Sequence, residues 1–295
     1  MKNPEIIIPI AEKDLITLKK NLPYILRYLE PPRIIIISGR EASSIVGELD
    51  DRIEYINENN LIDGLSFPDL KDYLQKYGSE DRTGWYFQQF LKLGYAFICN
   101  SEYYISWDAD TLPLKPVSMF ENGSPVFDMK TEYHKPYFDT IQKLLKLDKE
   151  NKDSFISEHM IFKTEFVKEM LQLLESSNKR WFYSIIEAIN PGDILQAGFS
   201  EFETYGTYVT HYHPGKYRYR KINAIRDGKA VFGEIPDEEI LSWLSKNYDT
   251  LSFEKWQDHL CFPSWHSYDT FRMLIPSSVY ITLFEMYYKL YKRIT

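Results

Sequence analysis

Residues 5–10 read Glu-Ile-Ile-Ile-Pro-Ile, an almost unbroken β-branched run with no polar face, which predicts a strand covered on both sides. Asp14 to Leu29 changes period. Leu15, Leu18, Leu22, Ile25, Leu26 and Leu29 recur at helical spacing until Pro31-Pro32 ends the element. Arg33-Ile34-Ile35-Ile36-Ile37-Ser38-Gly39 predicts a second buried strand and Arg52 to Ile56 a third, the β-α-β grammar of an open α/β sheet. From Thr83 to Phe97 the helical period returns with two unlike faces. Phe87, Phe90, Leu91 and Gly94 make an apolar stripe, whereas Trp85, Gln88, Gln89 and Lys92 share a face rich in hydrogen-bonding groups. Tyr103-Tyr104-Ile105-Ser106-Trp107 then predicts a strand running directly into Asp108-Ala109-Asp110-Thr111-Leu112-Pro113, which puts carboxylates at a strand end.

The rest of the chain is less regular. Lys146 to Asp153 is a charge-dense connector, Thr164 to Leu174 an amphipathic helix, and Asn190-Pro191-Gly192-Asp193 a turn. Ser200 to Gly206 is open to two readings: extended, Glu201 and Glu203 share a face, whereas in a helix they diverge; His211 and His213, if on a strand, would point the same way. Lys216 to Lys221 is basic and aromatic, and Asp237 to Lys246 is helical. The expected organisation is one catalytic domain over residues 1–250, with halves 1–115 and 116–250, and a helical, aromatic extension over 251–295.

Composition narrows the function classes. The chain has 295 residues and a formal net charge of -8, which disfavours nucleic acid as a partner; the bases of Lys216 to Lys221 are a local exception. Cys99 and Cys261 make no disulfide framework or zinc pattern, and the short apolar run at residues 6–11 is no secretion signal. Met273 to Phe284 is too short to span a bilayer, so the expected location is the cytoplasm, at the inner face of the membrane if the tail touches it. Aromatic residues make up 16% of the chain, an unusual loading for an ordinary soluble domain that needs a reason.

Asp108 and Asp110, two apart after a buried strand, are suited to a hard divalent cation bridging a nucleotide diphosphate. The plainer alternative is a strand-ending turn in which Asp108 caps backbone amides. Arg82, Trp85, Gln88, Gln89 and Lys92 lie just upstream and are candidates to line a donor pocket, the cations for phosphate and the amides for hydroxyls.

Ile6 to Ile10, the segment Arg82-Thr83-Gly84-Trp85-Tyr86-Phe87-Gln88-Gln89, and Tyr104-Ile105-Ser106-Trp107-Asp108-Ala109-Asp110-Thr111 together resemble the GT-A class of nucleotide-sugar glycosyltransferases. More narrowly, the chain is similar to bacterial glycosyltransferase-like proteins in which a Gly-Trp-Tyr-x-Gln-Gln helix precedes the D-x-D and a Ser-Glu-x-Glu-x-Tyr-Gly segment follows it. The resemblance covers roughly residues 5–215. It implies an α/β fold with a Rossmann-like open mixed sheet flanked by helices. It also implies manganese or magnesium held by Asp110 and Asp108, with Asp108 alternatively touching ribose, a nucleotide-sugar donor with UDP favoured, and a glycan or lipid-linked oligosaccharide acceptor. On the same resemblance Glu201 is the catalytic base with Glu203 as its alternative, and His211 or His213 completes the metal shell; an acidic helix start remains open for the glutamates and a turn for the histidines. The implied reaction is an inverting transfer, with retention left open.

Two other functions compete. A sugar nucleotidyltransferase would need a Gly-rich phosphate loop after the first strand, which Ile10-Ala11-Glu12-Lys13-Asp14 lacks. A non-catalytic carbohydrate-binding protein would use the aromatics alone. In the tail, Tyr280, Phe284, Tyr287, Tyr288 and Tyr291 beside Lys289, Lys292 and Arg293 suit a peripheral membrane contact, a helix docked on the domain or a dimer contact.

Overall fold

The computed structural model describes residues 3–39, 42, 50–254 and 257–294. Contacts divide the chain into two compact units that interleave along the sequence. One takes the described residues of Met1–Ile16, Pro31–Ala109 and Met119–Lys221; the other takes Thr17–Glu30, Asp110–Ser118 and those of Ile222–Thr295.

The first unit is built on a five-stranded mixed sheet of order β3-β2-β1-β4-β8: β1 (Glu5–Pro9), β2 (Ile34–Ser38), β3 (Ile53–Asn57), β4 (Tyr103–Trp107) and β8 (His159–Lys163). The isoleucine runs dictate its centre. Ile6 sits opposite Ile34 on one side and Ile105 on the other, and every residue of β1 and β2 is buried, so both sheet faces are covered. β1 to β4 are parallel; β8 runs antiparallel to β4, pairing Trp107 with His159. The helix Thr83–Gly94 packs against β1 and the helix Thr164–Leu174 against β8. The fold class is therefore α/β with a mixed sheet flanked by helices.

A smaller sheet in this unit joins β6 (Phe120–Glu121), β7 (Ser124–Met129) and β9 (Arg218–Lys221), with β9 parallel to β7. The basic stretch is thus a strand whose Arg220 turns to Asp128. The helix Glu201–Tyr212 carries Gly206 against the ring of Phe155; a Cβ there would stand 2.3 Å from Phe155 Cγ.

The second unit has its own core. β10 (Ala224–Ile225), β11 (Thr250–Ser252) and β5 (Thr111–Pro113) form a three-stranded sheet, with Leu112 and Leu251 side by side. Against the same core lie Trp243 and Leu244 of the helix Glu238–Ser245 and Tyr280, Ile281 and Phe284 of the C-terminal helix Ser277–Ile294. Trp243 Nε1 donates to the carbonyl of Ile275 at 2.9 Å. The tail is therefore a docked helix that spends Tyr280 and Phe284 on packing. No described helix is long and apolar enough to cross a membrane.

Replacing Gly206 by Ala should destabilise the first unit. The helix-propensity gain of about 1 kcal/mol is outweighed by about 1–3 kcal/mol of overpacking against a buried ring. Urea unfolding of Gly206→Ala against wild type measures the net loss.

Candidate active site

Three strands step outward from β1 to β3 and the next, β4, returns to the other side of β1. This makes the carboxyl ends of β1 and β4 the switch point where open α/β sheets bind ligands. The helix Thr83–Gly94 stitches these ends together. Gln88 Nε2 donates to the carbonyl of Pro9 at 3.1 Å, and one turn later Lys92 Nζ donates to Asp108 Oδ1 at 2.9 Å. The same ammonium meets Glu201 Oε1 at 2.8 Å and stands 4.4 Å from the centre of the Phe202 ring. Gln89 Oε1 accepts the main-chain N–H of Glu201 at 3.1 Å. One helix face thus joins β1, β4 and the start of the helix Glu201–Tyr212.

Lys92 is 5% exposed. Burial by itself would lower its pKa, but Asp108 and Glu201 more than offset that and hold it above its ordinary value. Of the three groups Asp108 is the most open, with 30% of its side chain exposed against 7% for Glu201.

Asp108 is fixed from beneath as well. Its main-chain N–H donates to Glu158 at 2.9 Å, and Trp107 stacks on His159 with ring centres 4.6 Å apart. His159 Nε2 lies 2.8 Å from Asp128 Oδ2, and Arg220 grips Asp128 through Nε at 2.7 Å and Nη2 at 2.8 Å. Burial would raise the Asp128 carboxyl, but the bonds from His159 and Arg220 hold it below its usual range. His159 is therefore a buried structural residue behind the site, held through Nε2 by Asp128 and through its ring by Trp107.

The remaining expected residues separate. Ser200 caps a helix rather than continuing a strand: its hydroxyl accepts from Glu203 N at 3.3 Å, as the Ser-x-x-Glu spacing favours. Of the two alternatives for Ser200 to Gly206 the structure takes the helix start, and the two glutamates diverge. Glu203 turns to Ser154 and the N–H of Phe155, fully buried, and burial raises its carboxyl pKa. A strand at His211 and His213 is likewise ruled out by the end of that helix, so the imidazoles part. His211 Nδ1 lies 3.0 Å from Glu150, whereas His213 lies 2.8 Å from Glu169 and stacks on Phe166. Asp110 is in the turn between β4 and β5, where its carbonyl accepts from Phe253 N at 2.9 Å. Arg82 lies over Trp85 at 4.8 Å, and its buried Nε meets no hydrogen-bond acceptor among the described residues.

A divalent cation needs several oxygens converging at about 2.0–2.6 Å. Here Asp108 and Glu201 share an ammonium, Glu203 faces Ser154, and each histidine faces a separate glutamate. Among the described residues no three His, Cys, Asp or Glu side chains stand where they could hold an ion. The arrangement does not fit a resident divalent metal.

Sequence reasoning placed Lys92 in the pocket but missed its two partners. The i, i+4 spacing of Gln88 and Lys92 signalled that they act on one face; nothing local signalled Asp108 and Glu201 as the targets. Tyr137 was missed too. Its hydroxyl is pushed up to about 12 by burial, then by the charges of Glu201 and Glu132, with Arg82 opposing, so it sits among the site's charged groups.

Glu203 provides a pH test. Its folded pKa is raised, so its charge costs stability at higher pH; the cost fades as pH falls through the raised folded pKa and is gone below its ordinary 4.5. Glu203→Gln keeps an acceptor for Ser154 and Phe155. It should match or exceed wild-type stability at pH 7 and lose that advantage below pH 4.5, read by urea unfolding at both pH values.

Solved structures to which this chain is similar include the following three. Mouse xyloside xylosyltransferase 1, apo form, aligns with a TM-score of 0.44 and 10% identity over 85% of this chain and 98% of its own. An active-site mutant of LgtC aligns at 0.44 and 12% identity over 89% of each chain. The galactosyltransferase LgtC with donor and acceptor sugar analogs aligns at 0.43 and 10% over 88% of this chain and 87% of its own. No curated protein shows significant sequence similarity to the chain. A family of unknown function, DUF6492, matches residues 40–262. As that match spans most of the sequence, the protein belongs to the DUF6492 family.

Proposed function

We propose that the protein is a GT-A-like glycosyltransferase that moves a sugar from a nucleotide-diphosphate donor, UDP-sugar favoured, to a hydroxyl of a glycan or lipid-linked oligosaccharide. The observation that carries this reading is the linkage of Asp108 and Glu201 through buried Lys92 at the switch point of the sheet, preceded by the Arg82 to Lys92 helix.

The roles follow from exposure and chemistry. Asp108, the most open carboxylate, accepts from donor hydroxyls. Arg82, whose buried Nε has no acceptor among the described residues, pairs with phosphate oxygens. Glu201 takes the proton of the attacking hydroxyl, whose oxygen bonds to the anomeric carbon as the bond to the diphosphate oxygen breaks and the diphosphate leaves. Glu203 is committed to Ser154 and Phe155 and so supports the site from behind.

A peripheral lipid contact of the tail is part of the same reading. Val279, Leu283, Met286 and Leu290 lie exposed along one stripe of the helix Ser277–Ile294, flanked by Lys289 and Arg293, which suits an anionic lipid surface.

Thermal shift with UDP, GDP and CMP should reveal one stabilising nucleotide; no stabilisation by any of them would favour a pure glycan binder. With the donor so identified, Glu201→Gln should lower kcat by about 10²–10⁴ while nucleotide stabilisation persists, and an unchanged kcat removes Glu201 as base. Sedimentation with phosphatidylcholine vesicles containing about one-third phosphatidylserine should retain the chain, and Leu283→Glu should release it; equal retention of the variant refutes the lipid contact.

A further inference from the structure

The Asp108 carboxylate is occupied by a cation that belongs to the chain. Lys92 Nζ lies 2.9 Å from Asp108 Oδ1 and 2.8 Å from Glu201 Oε1. The ammonium is delivered from the interior of a buried helix, with Phe202 against it at 4.4 Å. A divalent ion seeking Asp108 would meet this ammonium at close range. It would have to expel it from a place with almost no solvent to receive it, leaving a buried charge short of a partner. Two carboxylates facing each other without a cation between them would, in contrast, be a good oxygen site for a hard ion.

We propose that Lys92 is a resident counter-cation that takes the place of a divalent metal between Asp108 and Glu201, so that the pocket accepts its nucleotide diphosphate without manganese or magnesium. The diphosphate is the ligand only on the glycosyltransferase reading above; the exclusion of metal from Asp108 stands on the ion triad alone. The pocket's division of labour follows. Lys92 neutralises the carboxylates, and Arg82, whose buried Nε has no acceptor among the described residues, meets the phosphate. Asp108 is left as an oriented acceptor for a hydroxyl rather than as a metal ligand.

The test uses the full chain stripped with EDTA, titrated with manganese alone by calorimetry, then examined by thermal shift with UDP in EDTA and in manganese. Wild type should bind no manganese through Asp108, and UDP should raise Tm equally in both buffers. Lys92→Met should gain manganese binding, with a rise in Tm of about 5 °C or more at metal 100-fold above its Kd. Manganese binding by wild type that Asp108→Asn abolishes would overturn the proposal, as would UDP stabilisation that needs manganese. The wild-type and Asp108→Asn arms decide the matter alone if Lys92→Met does not fold. If UDP stabilises nothing in either buffer, the UDP-donor reading is what fails, and the metal titration still decides the role of Lys92.

Discussion

A buried ammonium shared by two carboxylates is the constraint around which the first unit is arranged. An isolated charge at the depth of Lys92 would be prohibitively costly, so the helix that carries it must meet both the end of β4 and the start of the helix Glu201–Tyr212. Removing either acid strands the rest. The geometry is therefore defined by necessity: the groups that make the pocket are those that allow the unit to close.

That necessity extends outward in layers. Asp108 is held at its side chain by Lys92 and at its main chain by Glu158, while Trp107 beside it rests on His159, which Asp128 and Arg220 fix in turn. The small β6-β7-β9 sheet thereby bears on a residue at the end of the large one. Much of the aromatic surplus is spent in this way on packing, as with Phe127 stacked on Tyr217 and Phe284 on Tyr288, and a smaller share is left for ligand surfaces than composition alone implied.

The sheet was legible because its code is local. Isoleucine runs such as Ile34 to Ile37 have one stable use, burial on both faces, and Pro31-Pro32 punctuates them. The position of Asp108 at a strand end was legible for the same reason. The ion triad was not, because hydrogen-bond partners from separate elements leave no mark on spacing. Ser200 to Glu203 stayed open between strand and helix start because an aromatic-rich segment offers β-propensity and a capping signature at once, and tertiary burial decided for the helix. The interleaving of the two units could not be inferred either. Asp108 and Asp110, which a motif binds into one feature, fall to different units.

The antiparallel partner of β4 has a consequence for biosynthesis. β1 to β4 are complete once Trp107 has been made, yet the strand that covers the open side of β4, His159–Lys163, is encoded well downstream. At roughly 5–20 residues per second, a nascent chain holds an unpaired edge flanked by Tyr104, Ile105 and Trp107 for several seconds. Slower translation lengthens the life of that edge, and with it the time during which an unpaired apolar strand can pair with another chain.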